Sequence, residues 1–148
     1  MGIAPSKTKI APAPAPLAQS APRAPSDPRV LGVHKSDIQG DMFVPQISKK
    51  AKSMVMVASE GCGHCRVAKP GFIEAMIKAP DQYHLFLLEI DRPEANGGIT
   101  PEDIIKLSHG QFKGGVPFYM TFDASGSYAG SYEKDRAGEA IASHMASM

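Results

Sequence analysis

Two cysteines, Cys62 and Cys65, lie in the segment Gly61-Cys62-Gly63-His64-Cys65 and are the only cysteines in the chain of 148 residues. At the start of a helix, positions i and i+3 share one face and lie close enough for a disulfide. Cys62 would then stand at the helix N-terminus, where free N–H groups and the helix dipole stabilise a thiolate. The spacing predicts thiol–disulfide exchange, in which Cys62 attacks and Cys65 releases the mixed disulfide.

His64, between the two cysteines, carries positive charge when protonated and would favour the reduced thiolate form, which makes the pair more oxidising. Two other interpretations remain open. A zinc site needs two ligands beyond such a pair, and the chain has no third cysteine and no close histidine pair to supply them. We therefore predict no metal. The second interpretation is that the two cysteines are an inert pair of buried thiols.

The composition limits the remaining classes of function. The chain is long enough for one domain. Sixteen basic and fifteen acidic residues give a net charge of +1, which argues against electrostatic binding of nucleic acid. No apolar run is long enough to span a membrane, and no secretory signal peptide is recognisable. We therefore expect an intracellular, cytoplasmic protein.

The first 28 residues differ in composition from the rest, since they hold seven of the 13 prolines and alternate alanine with proline. Such a stretch favours an extended polyproline II form and predicts a tail that acts as a linker or docking peptide. The start of the chain also fits the N-myristoylation pattern, with Gly2 as the acceptor. We expect association with a membrane only if Gly2 is acylated. The folded domain is predicted to cover residues 29–148.

Within that domain, two continuous apolar runs read as buried strands, and the helix between them makes a parallel βαβ unit. The side chains of Val67, Phe72, Ile73, Met76 and Ile77 are predicted to form the apolar face of this helix. The predicted order is β-α-β-α-β-α-β-β-α. Its elements are strand 30–33, a helix capped by Ser36 or Asp37, strand 54–58, helix 62–78, strand 84–90, a helix capped by Thr100, strands 118–123 and 127–133, and helix 135–147.

These features together resemble the thioredoxin superfamily, because a strand, the CGHC segment and a helix with Pro70 five residues after Cys65 follow one another. The CGHC segment resembles the active site of protein disulfide isomerases. Gly115-Val116-Pro117 is similar to the family's Gly-[Ile/Val]-Pro segment, in which the proline is cis. Over residues 29–148 the resemblance implies an α/β thioredoxin-like fold, a central mixed sheet with helices on both faces.

The resemblance also implies a function and a site. It implies a thiol–disulfide oxidoreductase or isomerase that acts on protein thiols and disulfides and needs no cofactor beyond its own redox-active disulfide. The implied catalytic residues are Cys62, His64 and Cys65, and the implied substrate contacts are Gly61, Gly63, Val116 and Pro117, with the Val116 backbone pairing with an extended peptide. Glu60 and Arg136 are expected as accessory groups.

Two departures from the family pattern motivate an alternative. Gly61 stands where the family usually has tryptophan, and the chain has none. Met56 stands where the family has a buried acid, six residues before the first cysteine, that moves protons to and from the deeper cysteine. The alternative is a structural or interaction component of a larger assembly, such as a virus particle, that is tethered by the N-terminal tail.

Overall fold

The computed structural model of the protein describes residues 30–45 and 51–148. The predicted tail of residues 1–28 and its acceptor Gly2 lie outside the described residues. The described part contains a two-stranded hairpin and a four-stranded sheet. The hairpin comprises β1 (Ile38–Gln39) and β2 (Met42–Phe43), and the sheet comprises β3 (Lys52–Ala58), β4 (Tyr83–Glu89), β5 (Phe118–Phe122) and β6 (Tyr128–Tyr132).

The four-stranded sheet is mixed, in the order β4-β3-β5-β6. Strand β3 runs parallel to β4 and antiparallel to β5, and β5 continues antiparallel into β6. Strand β3 is central and covered on both faces, so all its residues from Ser53 to Ala58 are buried. This explains its continuous apolar sequence.

Helices cover both faces of this sheet. They are α1 (Gly63–Lys78), α2 (Pro93–Asn96), α3 (Pro101–Leu107) and α4 (Gly138–Ser147). Helices α1 and α4 pack with Met54, Met56 and Cys65 in one buried cluster, whereas α3 packs with Val55 and Val57 in the other. The sheet therefore separates two cores, and consecutive residues of β3 alternate between them.

The predicted N-cap of α3 is confirmed. Thr100 accepts a hydrogen bond from the Asp103 backbone N–H, and the Asp103 carboxylate accepts one from the Thr100 backbone N–H. Pro101 occupies the first helical position, where its missing N–H leaves no hydrogen bond unmade. Helix α2 falls in a stretch for which the sequence predicted only a loop.

Two local predictions before β3 were wrong. Residues 30–33 form a single bridge between Gly32 and Leu87 rather than a strand. Neither Ser36 nor Asp37 begins a helix: His34 caps one 3-10 turn, Lys35–Asp37, and the Asp37 carboxylate accepts a hydrogen bond from the His34 backbone N–H. Gly40, at φ 66°, then turns the chain into the β1–β2 hairpin.

The apolar face of α1 was also misassigned in part. Val67 is 82% exposed, although Phe72 and Met76 are buried as predicted. The buried positions of α1 are Cys65, Ala68, Phe72, Ala75 and Met76. They follow the 3.6-residue period that begins at Cys65, and this period leaves Val67 on the solvent side.

Candidate active site

The two cysteines lie where β3 ends and α1 begins. Cys62 is the N-cap of α1, with an extended backbone (φ −96°, ψ 121°), and Cys65 lies in the first helical turn. Both residues carry free thiols. Their environments differ, because Cys62 is half-buried and Cys65 is fully buried at 0% exposure.

The environment of Cys62 favours its thiolate. The backbone N–H of Cys65 is the main group that lowers the pKa of the Cys62 thiol, followed by a hydrogen bond with the Cys65 side chain. The backbone N–H of His64 and the charge of Arg66 act in the same direction, and partial burial opposes them. These are the free N–H groups of a helix N-terminus, as the sequence predicted.

The environment of Cys65 disfavours its thiolate. Burial raises the pKa of the Cys65 thiol, and the neighbouring Cys62 raises it further. The Ser59 backbone N–H donates to Cys65 Sγ at 3.4 Å and lowers this pKa, as does the charge of Lys69, but the net direction is upward. Cys62 is therefore the accessible, more acidic thiol, and Cys65 is the sheltered one.

The segment Gly115-Val116-Pro117 lies against the dithiol. The peptide bond between Val116 and Pro117 is cis, which is the geometry that the resemblance implies. The Cys62 thiol donates to the Val116 carbonyl oxygen at 3.5 Å. Sequence positions 54 residues apart thus meet at one sulfur atom.

The residues that flank the cysteines leave this surface open. Gly61, Gly63 and His64 are all exposed. A Cβ atom at Gly63 would meet nothing within 4 Å, and one at Gly61 would meet only the Ser59 hydroxyl at 3.8 Å. The surface beside Cys62 is therefore open at both glycines.

A polar cluster holds the turn before Cys62. The Asp91 carboxylate accepts hydrogen bonds from the Ser59 hydroxyl at 2.8 Å and from the Glu60 backbone N–H at 3.1 Å. Partial burial opposes ionisation of Asp91, but these hydrogen bonds outweigh it and lower the pKa of its carboxyl. The Glu60 carboxylate pairs with Arg92 at 2.7 Å. Glu60 therefore joins this cluster through both its backbone N–H and its side chain.

A second ion pair, between Lys69 and Glu89, lies one helical turn beyond Cys65. Lys69 Nζ is 2.6 Å from a Glu89 carboxylate oxygen, and each side chain is only 19% exposed. Lys69 follows Cys65 by four residues, so both face the same side of α1. Its charge lowers the pKa of Cys65, although burial has the larger, opposite effect.

The position expected to hold a buried acid is apolar. Met56 is completely buried and pairs across the sheet with Tyr119 on β5. Arg136, the expected accessory residue, is exposed and lines a surface groove with Val116, Pro117 and Tyr119.

Sequence reasoning did not identify Ser59, Lys69, Glu89, Asp91, Arg92 or Tyr119 as residues of the site. The signal for Asp91 was present, because the carboxyl ends of adjacent parallel strands meet at one edge of a sheet. The spacing of Lys69 from Cys65 was a second usable signal. Tyr119 gave no signal beyond the aromatic alternation of its strand.

Within residues 30–45 and 51–148, no group of three or more histidine, cysteine, aspartate or glutamate side chains is arranged to hold a metal ion. None of the helices described there is long and apolar enough to cross a membrane.

Comparison with known proteins gives a match by structure alone. No protein-family model matches the chain, and no curated protein matches it by sequence. Three similar solved structures are the J-Trx1 fragment of ERdj5, a thioredoxin-family thiol:disulfide interchange protein from Chlorobium tepidum TLS, and a mutant thioredoxin from Halobacterium salinarum NRC-1.

The identities to these three proteins are 17%, 18% and 16%, and the TM-scores are 0.54, 0.51 and 0.54. The alignments cover 82%, 68% and 84% of this chain. They span 52% of the ERdj5 fragment, 81% of the Chlorobium protein and 95% of the halobacterial thioredoxin.

The sheet order, the helices on both faces and these neighbours define the class of fold. The chain has a thioredoxin-like fold, as the resemblance implied. Two nearby cysteines lie at the junction of β3 and α1.

Proposed function

We propose that the protein is a thiol–disulfide oxidoreductase that acts on protein thiols and disulfides through Cys62 and Cys65. The observation that carries the proposal is the asymmetry of the two thiols: the pKa of accessible Cys62 is lowered and that of buried Cys65 is raised. An exchange catalyst needs one thiolate that attacks the substrate disulfide and a second thiol that stays protonated until it resolves the mixed disulfide. The Chlorobium neighbour, described as a thiol:disulfide interchange protein, is consistent with this proposal.

In the reducing direction, the Cys62 thiolate attacks one sulfur of a substrate disulfide. The Cys62–substrate bond forms, the substrate disulfide breaks, and the released thiolate takes up a proton. Cys65 then loses its proton and attacks Cys62 Sγ. The Cys62–Cys65 disulfide forms, the second substrate thiol leaves, and two electrons have passed from the protein to the substrate. The reverse sequence oxidises a substrate dithiol.

Isomerisation requires no additional group. It follows when a second thiol of the substrate attacks the mixed disulfide before Cys65 does. The raised pKa of Cys65 keeps it protonated and slows its attack, which lengthens the life of the mixed disulfide. The open surface around Gly61 and Gly63 and the carbonyl of Val116 are where an extended substrate segment would lie.

The test is reduction of insulin disulfides by the full-length protein with dithiothreitol as electron donor. We expect the wild type to accelerate reduction. We expect Cys62→Ser to abolish the acceleration and Cys65→Ser to diminish it, because the first step needs Cys62 alone. Equal activity in the wild type and Cys62→Ser would refute the proposed function. The assembly alternative depends on the tail, which lies outside the described residues.

A further inference from the structure

Tyr119 carries a buried hydroxyl group that the exchange steps above do not use. The residue is 2% exposed. Its hydroxyl oxygen has no hydrogen-bond partner in the described parts of the chain. An unpaired buried hydroxyl lowers the stability of the fold. We therefore looked for a group that could accept a hydrogen bond from it in another state of the exchange reaction.

The position of Tyr119 on the sheet places it on the dithiol side. Tyr119 lies opposite Met56 in the antiparallel pairing of β5 with β3, so both side chains project from the same face of the sheet. Both belong to the buried cluster that contains Cys65. The ring of Tyr119 lies between those of Phe72, at 5.8 Å, and Tyr132, at 5.9 Å, which hold its orientation.

Electrostatic coupling agrees with this placement. Burial raises the pKa of Tyr119 to about 12, the charge of Arg136 acts against this rise, and the charge of Cys65 adds to it. Tyr119 thus responds to both Arg136 and Cys65. A phenol with this pKa keeps its proton at neutral pH, so it can donate a hydrogen bond but cannot serve as a base.

Cys65 is the group in this region whose charge state must change. Its thiol is fully buried. The Ser59 backbone N–H donates a hydrogen bond to its sulfur, with a distance of 3.4 Å between the nitrogen and sulfur atoms. Met56 offers no hydrogen-bond donor. When Cys65 becomes a thiolate, the negative charge needs a donor.

We propose that the Tyr119 hydroxyl donates a hydrogen bond to the Cys65 sulfur when Cys65 becomes a thiolate and resolves the mixed disulfide. This inference rests on the proposed exchange function. In the step concerned, Cys65 gives its proton to water, its thiolate attacks Cys62 Sγ, the Cys62–Cys65 bond forms, and the departing substrate thiolate takes a proton from water. Tyr119 keeps its own proton throughout and is neither oxidised nor reduced.

Other groups also act on these two residues. Cys62 and Lys69 act from α1, the Ser59 N–H acts from the turn after β3, Tyr132 acts from β6, and Arg136 acts from the loop before α4. Glu89, on β4, neutralises part of the Lys69 charge. All of them remain in a Tyr119→Phe variant, so its effect isolates the hydroxyl group.

The experiment follows the two chemical steps separately in the full-length protein. The reduced protein reacts with a symmetrical nitrophenyl disulfide whose thiolate products absorb visible light. The first equivalent of product reports the attack of Cys62, and the second reports the attack of Cys65. Rates are measured across pH for the wild type, Tyr119→Phe and Tyr132→Phe. Tyr132 is the matched control, because its hydroxyl donates to the Asp135 carbonyl oxygen.

We expect Tyr119→Phe to leave the first step unchanged and to shift the pH profile of the second step upward by about one to two units, which corresponds to one hydrogen bond to a charged group. Each unit lowers the thiolate fraction about tenfold at neutral pH but makes the thiolate about threefold more nucleophilic, so the second step slows about three- to fourfold per unit. Above the pKa of Cys65 the variant should be no slower than the wild type.

The proposal therefore predicts a second step that is slower in Tyr119→Phe at neutral pH but not above the pKa of Cys65. A purely structural effect would not depend on pH in this way. A second step in Tyr119→Phe that matches the wild type at every pH, or that is slower by the same factor at every pH, would overturn the proposal. A profile shift of equal size in Tyr132→Phe would also overturn it. A direct titration of the Cys65 thiolate by ultraviolet absorbance in Cys62→Ala, with and without Tyr119→Phe, should give the same upward shift. Absence of the first step in the wild type would instead refute the exchange function itself.

Discussion

At the scale of single residues, two identical side chains acquire different chemistry from their positions. Cys62 meets the N–H groups of the first turn of α1, whereas Cys65 is enclosed by the core formed by α1, α4 and the sheet. The difference follows from one helical turn of displacement. In the proposed exchange reaction, this difference would make Cys62 the attacking thiol and Cys65 the resolving thiol.

The lowered pKa of Cys62 predicts its reactivity. In the reduced protein, iodoacetamide should modify Cys62 and spare Cys65 near neutral pH. The rate should reach half its maximum at a pH below about 8.5, the ordinary value for a thiol, because the thiolate forms early. Peptide mapping after partial alkylation would measure both effects. Preferential modification of Cys65, or a midpoint at or above the ordinary value, would contradict the assignment.

The Lys69–Glu89 ion pair supports a second prediction. Lys69→Met should leave the Glu89 carboxylate half-enclosed without its partner and should lower the free energy of unfolding by about 1–3 kcal/mol. It should also raise the pKa of Cys65, because Lys69 lowers it. Denaturant unfolding and a titration of Cys65 are the measurements.

Lys78→Met is the matched control for that prediction. Lys78 pairs with Glu74 on the same helix, but the two side chains are 72% and 65% exposed. Loss of such a pair should cost no more than about 0.5 kcal/mol. Equal losses of stability in the two variants would contradict the role given to burial.

At the scale of elements, the close packing of α1 against α4 orients the helix that carries the dithiol. The backbones meet at Gly71 and Gly138, where a Cβ on Gly138 would lie 2.6 Å from the Gly71 carbonyl oxygen. Gly138→Ala should therefore push the helices apart and destabilise the fold by about 1–3 kcal/mol.

Gly115→Ala serves as its control for stability, since a Cβ there would meet nothing within 4 Å. Thermal unfolding of both variants would measure the difference. If Gly138→Ala unfolded at the same temperature as the wild type, the close approach of α1 and α4 would make no contribution to stability, which would contradict this prediction.

Elements with a strong local signal were predictable from the sequence. The apolar runs of β3 and β4 and the cap at Thr100 each have a distinct pattern, and the structure has them within one or two residues. The segment near His34 was not predictable, because its 3-10 turn depends on a hydrogen bond between His34 and Asp37 rather than on periodicity. Val67 looked apolar in sequence but lies outside the period set by Cys65.

The two cysteines of the candidate site and the segment against them could be predicted from the sequence, but the residues that surround them could not. Cys62, Cys65 and the Val116–Pro117 segment carry a recognisable sequence pattern. Ser59 and Asp91 follow two different strands and meet through a hydrogen bond, and Tyr119 lies opposite Met56 on a third strand; both arrangements depend on strand register. Register is a tertiary property that a single sequence does not display.

At the scale of the whole molecule, all groups of the candidate site lie within residues 30–148 and on one end of the sheet. Cleavage that removes residues 1–29 should therefore leave the rate of exchange with a small disulfide unchanged. The residues that follow the cut still contact β4, through the hydrogen bonds of Leu31 and Val33 with Leu87. Stopped-flow rates of the cleaved and full-length proteins would show whether the first 29 residues take part in the chemistry, and a marked loss of rate would show that they do.

The central claim is that Cys62 forms a covalent bond with a substrate and that Cys65 releases it. The most direct measurement is intact-protein mass spectrometry of Cys65→Ser and Cys62→Ser after reaction with a protein disulfide. The account predicts that Cys65→Ser accumulates a mixed disulfide on Cys62 and that Cys62→Ser accumulates almost none, because its remaining thiol is buried. An adduct that forms equally in both variants, or in neither, would contradict it.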